Sequence, residues 1–265
     1  MLHIVSRFIP LSAILLLAAC SGGAPTTAVK APPSEYAAVE DAGFVIKAVD
    51  PALLAEGHAR TQVDYTGPEQ AGTVVVDTFA RRLYVVQEGG RATRYAIGVG
   101  REGKAFRGSG VIGRKSEWPS WQPTRNMIRT APELYSVYAG GVAGGLENPL
   151  GARALYLYRG GRDSYFRIHG TIDDRSIGRA SSAGCIRLFN QDIIHLYEQV
   201  PTGAQVKVRS LDESLAAEGP YIDDANGNAV PDTPEAVAAR EKLLAKRAKA
   251  DAAKAAKAEQ AAAQG

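Results

Sequence analysis

The sequence predicts a mainly β domain with one well-formed helix, preceded by a leader and spacer and followed by a low-complexity helical tail. Short apolar runs rich in β-branched residues, separated by polar, Gly-containing turns, begin at Gly72, as expected of packed strands. One later segment has its apolar residues at helical spacing instead, and beyond Ser210 substantial apolar residues become sparse.

In chain order, Val74 to Val76 and Leu83 to Val86 read as the first two strands, and Glu88-Gly89-Gly90 turns the chain into a third from Arg94 to Val99. Further strands are expected in ARALYLYRG, SYFRIHG and AQVKVRS. In NQDIIHLYEQV, Ile193, Ile194, Tyr197 and Val200 share a helical face, Asn190 is placed to cap the start, and Pro201 with Gly203 ends it. Residues 72–209 thus make a domain of roughly 140 residues, long enough to bury a real core.

Residues 20–71 read as a spacer and approach segment, small and proline-containing at first, with FVIKAVDPALLAEG offering a short strand or helix. Residues 210–265 read as an Ala/Lys-rich tail. Thr233-Pro234 opens a helix with only Val237, Leu243 and Leu244 to bury, either a solvated basic tail or a grip on an anionic envelope polymer or lipid.

Residues 1–19 form a leader, nearly all apolar from Phe8 to Ala19 and too short to span a bilayer comfortably. Leu17-Ala18-Ala19-Cys20 resembles a lipobox, which implies cleavage before Cys20, acylation of that cysteine and a firm membrane tether. Ser21 favours the outer membrane, so the expected address is the cell envelope, facing the periplasm. A net charge of +3 is too mild to suggest nucleic acid.

Cys20 and Cys185 are the only cysteines. Once Cys20 is lipidated or removed, Cys185 has no partner in a compartment that pairs structural thiols. It is then either a small buried hydrophobe or a reactive thiol. Other motifs are weaker. GVGREG matches a dinucleotide fingerprint, yet no helix follows to face a pyrophosphate, so a turn is expected. DDANGNAVPD sets oxygens at Asp224, Asn226 and Asn228 but lacks the glycine and the bidentate acid of a calcium loop. His169, Asp173, Asp174, Cys185 and His195 fit no zinc spacing. No cofactor and no metal is expected.

Thiol chemistry at an acyl centre needs a thiolate, a base and donors for the oxyanion. His169, in FRIHGT, ends an apolar alternation that sets its imidazole at a strand terminus. Gly184 lets a substrate carbonyl approach Cys185, and Arg187 alternates with apolar Ile186 and Leu188. Together, IHGT followed by SSAGCIRL closely resembles the YkuD-type L,D-transpeptidase catalytic domain of the ErfK/YbiS/YcfS/YnhG-like group, whose signature is a histidine, a spacer, Ser or Thr, a variable residue, Gly and Cys. The resemblance runs from about Gly72 to Arg209 and includes GTVVVDTFARRLYVV, IGRKSEWPSWQP and NPLGARALYLY.

That resemblance implies a β-sandwich-like fold with Cys185 as nucleophile, His169 as general base and the Gly170 carbonyl orienting the imidazole. It places the oxyanion site at the Cys185 backbone with Gly184 and neighbours such as Ser182, and gives Arg187 a role in the local field or in holding a carboxylate. The implied partners are peptidoglycan stem peptides, with an envelope protein as a possible acceptor. The thiolate attacks the carbonyl of the third residue, diaminopimelate, releases D-Ala and passes the acyl group to an amine. With water as acceptor the same site is an L,D-carboxypeptidase. A non-catalytic wall-binding lipoprotein is the reading from another class. Arg107, Arg114, Arg125 and Arg129 are candidate attractors for stem carboxylates, and Trp118 and Trp121 wall the groove or belong to the core. Two departures from the pattern, Ala183 and the stretch Ile172 to Arg175, bear on acceptor choice.

Overall fold

The computed structural model describes residues 32–100, 106–180 and 185–262; Cys20, the leader and Ser182 to Gly184 lie outside them. β1 (Val39–Asp41) and β2 (Phe44–Ile46) form a hairpin. A helical turn, α1 (Pro51–Leu53), then leads to β3 (Thr61–Asp64). Next come β4 (Val74–Asp77), β5 (Arg82–Gln87), β6 (Arg91–Ala96) and β7 (Gly108–Glu117). Two short helices, α2 (Arg125–Thr130) and α3 (Pro132–Tyr135), precede β8 (Arg153–Arg159) and β9 (Arg162–His169). After β10 (Ile186–Arg187), α4 (Asn190–Gln199) and β11 (Gln205–Val208), the chain ends in α5 (Leu211–Glu218), β12 (Tyr221–Asp223), β13 (Ala229–Pro231) and α6 (Pro234–Ala262).

Nine strands make one mixed sheet in the order β10-β9-β8-β7-β11-β4-β5-β6-β3. β10 runs parallel to β9 and β11 parallel to β4. The sheet closes toward a sandwich, because Gly98, just past β6, exchanges hydrogen bonds of 2.9 and 2.8 Å with Arg187 of β10. Alternation builds the core: Val74, Val76, Leu83 and Val85 pack with Ile112, Leu155, Leu157, Ile168, Ile186, Ile193 and Leu196. Val75, Tyr84 and Val86 face the other way and pack with Tyr65.

The mixed segment before β4 is bound into this domain. Asp41 takes 2.7 and 2.8 Å bonds from the Arg153 guanidinium and a 2.7 Å bond from Trp118 Nε1. Tyr36 Oη and Arg60 Nη1 each donate to Asp192 Oδ1 at 2.9 Å. The region after Ser210 holds more structure than its sparse apolar residues suggest. Ser210 and Glu213 close a capping box on α5, and Asp224 Oδ1 accepts from the N–H groups of Asn226 and Asn228 in the β12–β13 turn. α6 is almost wholly exposed over its described side chains, tied back by Arg247 Nη2 to Asn226 Oδ1 at 2.5 Å. Among the described residues no helix is long and apolar enough to cross a membrane.

Burial pushes the Asp192 carboxyl up to about 6, against the pull of Arg60 and Tyr36. The folded protein therefore holds this proton more tightly than the unfolded chain, and the contribution of Asp192 to stability falls as pH rises from about 4 to about 6. His58 and His169, both held down to about 4 chiefly by burial, act oppositely, adding stability as pH rises from about 4 to about 6.5. Asp192→Asn removes the opposing carboxyl. Thermal midpoints of the variant should rise more steeply than those of the natural chain between pH 4 and 6; equal slopes would contradict the assignment.

Candidate active site

β9 and β10 lie parallel, with Ile168 opposite Ile186 and His169 opposite Arg187. Registered partners point to one side of a sheet and alternate residues to opposite sides. Ile168 and Ile186 share the core face, so His169 and Arg187 share the other. Two residues back along each chain, Arg167 and Cys185 return to that same face. The patterns FRIH and CIRL do the same work: the isoleucine anchors each strand in the core, and the polar residues beside it project over the site.

His169 is 5% exposed, and its Nδ1 lies 2.6 Å from the Gly170 carbonyl oxygen. A carbonyl only accepts, so Nδ1 carries the proton and Nε2 keeps its lone pair. Burial, reinforced by the charges of Arg187 and Arg167, lowers the imidazole to about 4 despite the Gly170 and Leu150 carbonyls. Cys185 is half-buried. Burial pushes its thiol up, while the Arg167 backbone N–H and the Arg167 and Arg187 guanidiniums hold the rise back. The resting pair is thus a neutral thiol and a neutral imidazole in a cationic field. Arg187 itself donates to the Val99 carbonyl at 3.1 Å and feels both Asp173 and Cys185.

Asn190 corrects one expectation. α4 begins at Asn190 with Phe189 as its N-cap and no side-chain cap. The Asn190 side chain instead accepts from Ala152 N at 3.0 Å and donates to Thr171 O at 2.8 Å, which clamps both flanks of Gly170. These partners are far off in sequence, so a local rule assigned the side chain to the nearer helix end.

The other expected residues divide. Ser182 and Gly184 lie outside the described residues. Trp118 stacks on Phe44 at 4.3 Å between ring centroids, fastening the amino-terminal hairpin. Trp121 packs on Tyr138 and Tyr135. Arg125 and Arg129 are exposed on α2, and Arg107 is exposed just before β7. Arg114 stands on the face that holds Cys185, in register with Tyr156. Arg167 was not expected, although the alternation that placed Arg187 beside the site also places Arg167 there.

A half-buried thiol and a buried imidazole of fixed tautomer on one face of the sheet, in a field of guanidiniums, are the groups that acyl transfer through cysteine requires. The chain belongs to the YkuD family of L,D-transpeptidase catalytic domains, whose model matches residues 71–208. It is 39% identical over 137 residues to a Fuscovulum blasticum protein named for an L,D-transpeptidase in the ATP synthase subunits region (ORF 5), covering 51% of this chain and 68% of that one. The probable L,D-transpeptidase ErfK/SrfK of Escherichia coli (strain K12) is 34% identical over 138 residues, which is 51% of this chain but only 43% of that protein. A solved chain from Brucella melitensis, described as a probable carnitine operon oxidoreductase caia, is 42% identical across 58% of this chain and 93% of its own, with a TM-score of 0.40. That description belongs to the Brucella protein alone, and a superposition at this score adds nothing to the family assignment.

Proposed function

We propose that this chain is an envelope L,D-transpeptidase in which Cys185 carries the acyl group and His169 moves the proton. The observation that supports this best is the 2.6 Å bond from His169 Nδ1–H to the Gly170 carbonyl, which leaves Nε2 free to accept. As the sulfur attacks the carbonyl of residue three of a tetrapeptide stem, diaminopimelate, the thiol proton passes to Nε2. The Cys185 backbone N–H, with Gly184 and Ser182, would receive the oxyanion. Collapse of the tetrahedral adduct breaks the bond to D-Ala, and His169 returns the proton to the departing amine. An acceptor amine, on a second stem or on an envelope protein, then attacks the thioester, gives its proton to His169 and restores the thiol. Arg187 and Arg167 lie beside the sulfur and stabilise its anionic form during attack. Acylation of Cys20 would hold this chemistry at a membrane, facing the periplasm, with the outer membrane preferred.

The test is product analysis. The purified full-length chain is incubated with disaccharide tetrapeptide, and protein and products are weighed by mass spectrometry, with Cys185→Ala as the blank. Cys-dependent D-Ala release with a cross-linked dimer is the expected result. Tripeptide without dimer would reassign the site to hydrolysis. Neither D-Ala nor an acyl adduct on Cys185 would remove the enzymatic reading.

A further inference from the structure

Two guanidiniums converge on one buried ring. Arg114 Cζ lies 3.5 Å from the Tyr156 ring centroid and Arg167 Cζ lies 4.2 Å from it, and Tyr156 is only 6% exposed. Arg114 stands opposite Tyr156, and Tyr156 opposite Arg167. Cys185 immediately precedes β10, and extending that strand's parallel register by one residue sets it beside Arg167, so the four residues make a row across the sheet that ends at the thiol.

A bulge puts Arg114 in that row. Pairing slips between Ile112 and Arg114. Ile112 is in the core, and simple alternation would send Arg114 there too. The extra residue, Gly113, turns Arg114 outward to the face of the site and Lys115 inward, where its Nζ donates to the Val200 carbonyl at 2.9 Å. Gly113 has no room for a side chain, since a Cβ there would stand 2.3 Å from the Tyr158 ring.

The charges in the row do not balance. Arg167 spends two bonds, of 2.6 and 2.8 Å, on Asp163. Against the effect of burial, that pairing and the nearby Arg114 hold the Asp163 carboxyl below its usual range. One carboxylate thus faces two guanidiniums, and Arg114 makes no hydrogen bond or ion pair among the described residues. Its planar fork, fixed by stacking, can grip a carboxylate with two parallel bonds.

We propose that Arg114 is a specificity-determining residue that binds a carboxylate of the donor peptide upstream of the carbonyl attacked by Cys185. Strands lie about 4.8 Å apart, so β7 stands about 14 Å from β10. Arg114 leaning back over Tyr156 shortens this to about 7–10 Å, the reach of two to three extended residues. This inference rests on the acyl-transfer reading above and adds the feature of the donor that the site selects.

The experiment compares two tetrapeptide donors, one with the upstream carboxylate free and one with it amidated, on the full-length chain and on Arg114→Gln and Arg114→Lys. The natural chain should prefer the free acid in kcat/KM by roughly 10- to 100-fold, the difference expected of a charged hydrogen-bonded pair. Arg114→Gln should bring that ratio to about one, and Arg114→Lys, which keeps the charge without the fork, should fall between. Alkylation of Cys185 by neutral iodoacetamide, followed in parallel, reports that the thiol site is intact. A natural chain without acid preference, or a Gln variant that keeps it, overturns the proposal. Turnover of neither donor by the natural chain would instead remove the acyl-transfer reading, and this inference with it.

Discussion

Cys185→Ala is expected to abolish D-Ala release, a loss of at least about four orders of magnitude, because it removes the sulfur that the proposed mechanism acylates. His169→Gln should cost about 10²- to 10⁴-fold, the usual worth of a positioned base. The pH profile tells how the pair works. Burial holds His169 down to about 4 and pushes the Cys185 thiol up, so both partners are neutral at rest. The imidazole loses its ability to accept only when protonated, so the acid limb of acylation should fall near pH 4. The thiol must still hold its proton, so the alkaline limb should lie beyond the ordinary thiol range. Acylation by a tetrapeptide donor, measured by mass as a function of pH, should therefore be flat from about pH 5 to about pH 9. Iodoacetamide should react slowly across that plateau and faster only above it. A bell centred near pH 6, with rapid alkylation at its maximum, would mean a preformed thiolate and imidazolium, and would overturn the neutral-pair mechanism.

The parts of this site that depend on alternation were legible in the sequence. FRIHG and CIRLF each place apolar residues at every second position, and β9 and β10 form with those residues in the core and the polar ones over the site. What alternation cannot foresee is its own interruption. Gly113 inserts a residue in β7 and exchanges the faces of Arg114 and Lys115, and in IGRKSE the glycine alone hints at a bulge without fixing where the register slips. Contacts between distant segments were equally hidden. Tyr36 and Asp192 lie 156 residues apart yet share a buried hydrogen bond, which binds a segment of unremarkable composition to the helix behind the site. The Ser210 to Glu213 capping box has a local spacing, which makes it legible in SLDE even where apolar residues are sparse. Asn190 belongs to the hidden class, because its partners at Ala152 and Thr171 come close only after β8, β9 and α4 have packed.

That packing makes Gly170 the most sensitive backbone position near the imidazole. A Cβ at Gly170 would stand 2.2 Å from Asn190 Oδ1 and 3.1 Å from both Ala152 N and Ile193 Cγ2. Asn190 has little freedom to retreat, because Gly151, at φ +64°, brings its own backbone up against the same oxygen. Gly170→Ala must therefore displace the Asn190 amide, leaving the Ala152 N–H and the Thr171 carbonyl without their partners, or shift the Gly170 carbonyl that holds the His169 tautomer. Overpacking and an orphaned buried donor together should cost about 3 kcal/mol of stability. Acylation of Cys185 should fall by at least about 100-fold in protein that remains folded, since a misdirected imidazole is a poor base. Asn190→Ala separates the two effects. In the double variant Gly170→Ala/Asn190→Ala the collision is gone, so urea midpoints should show strong non-additivity, with the second substitution costing far less than it does alone. Acylation should stay low, because the Gly170–Thr171 stretch loses its side-chain tie to Ala152 and keeps only the 3.1 Å backbone bond from Gly170 N to the Arg153 carbonyl beside it. Recovery of full activity in the double variant would show that the clamp serves stability alone and has no part in holding His169.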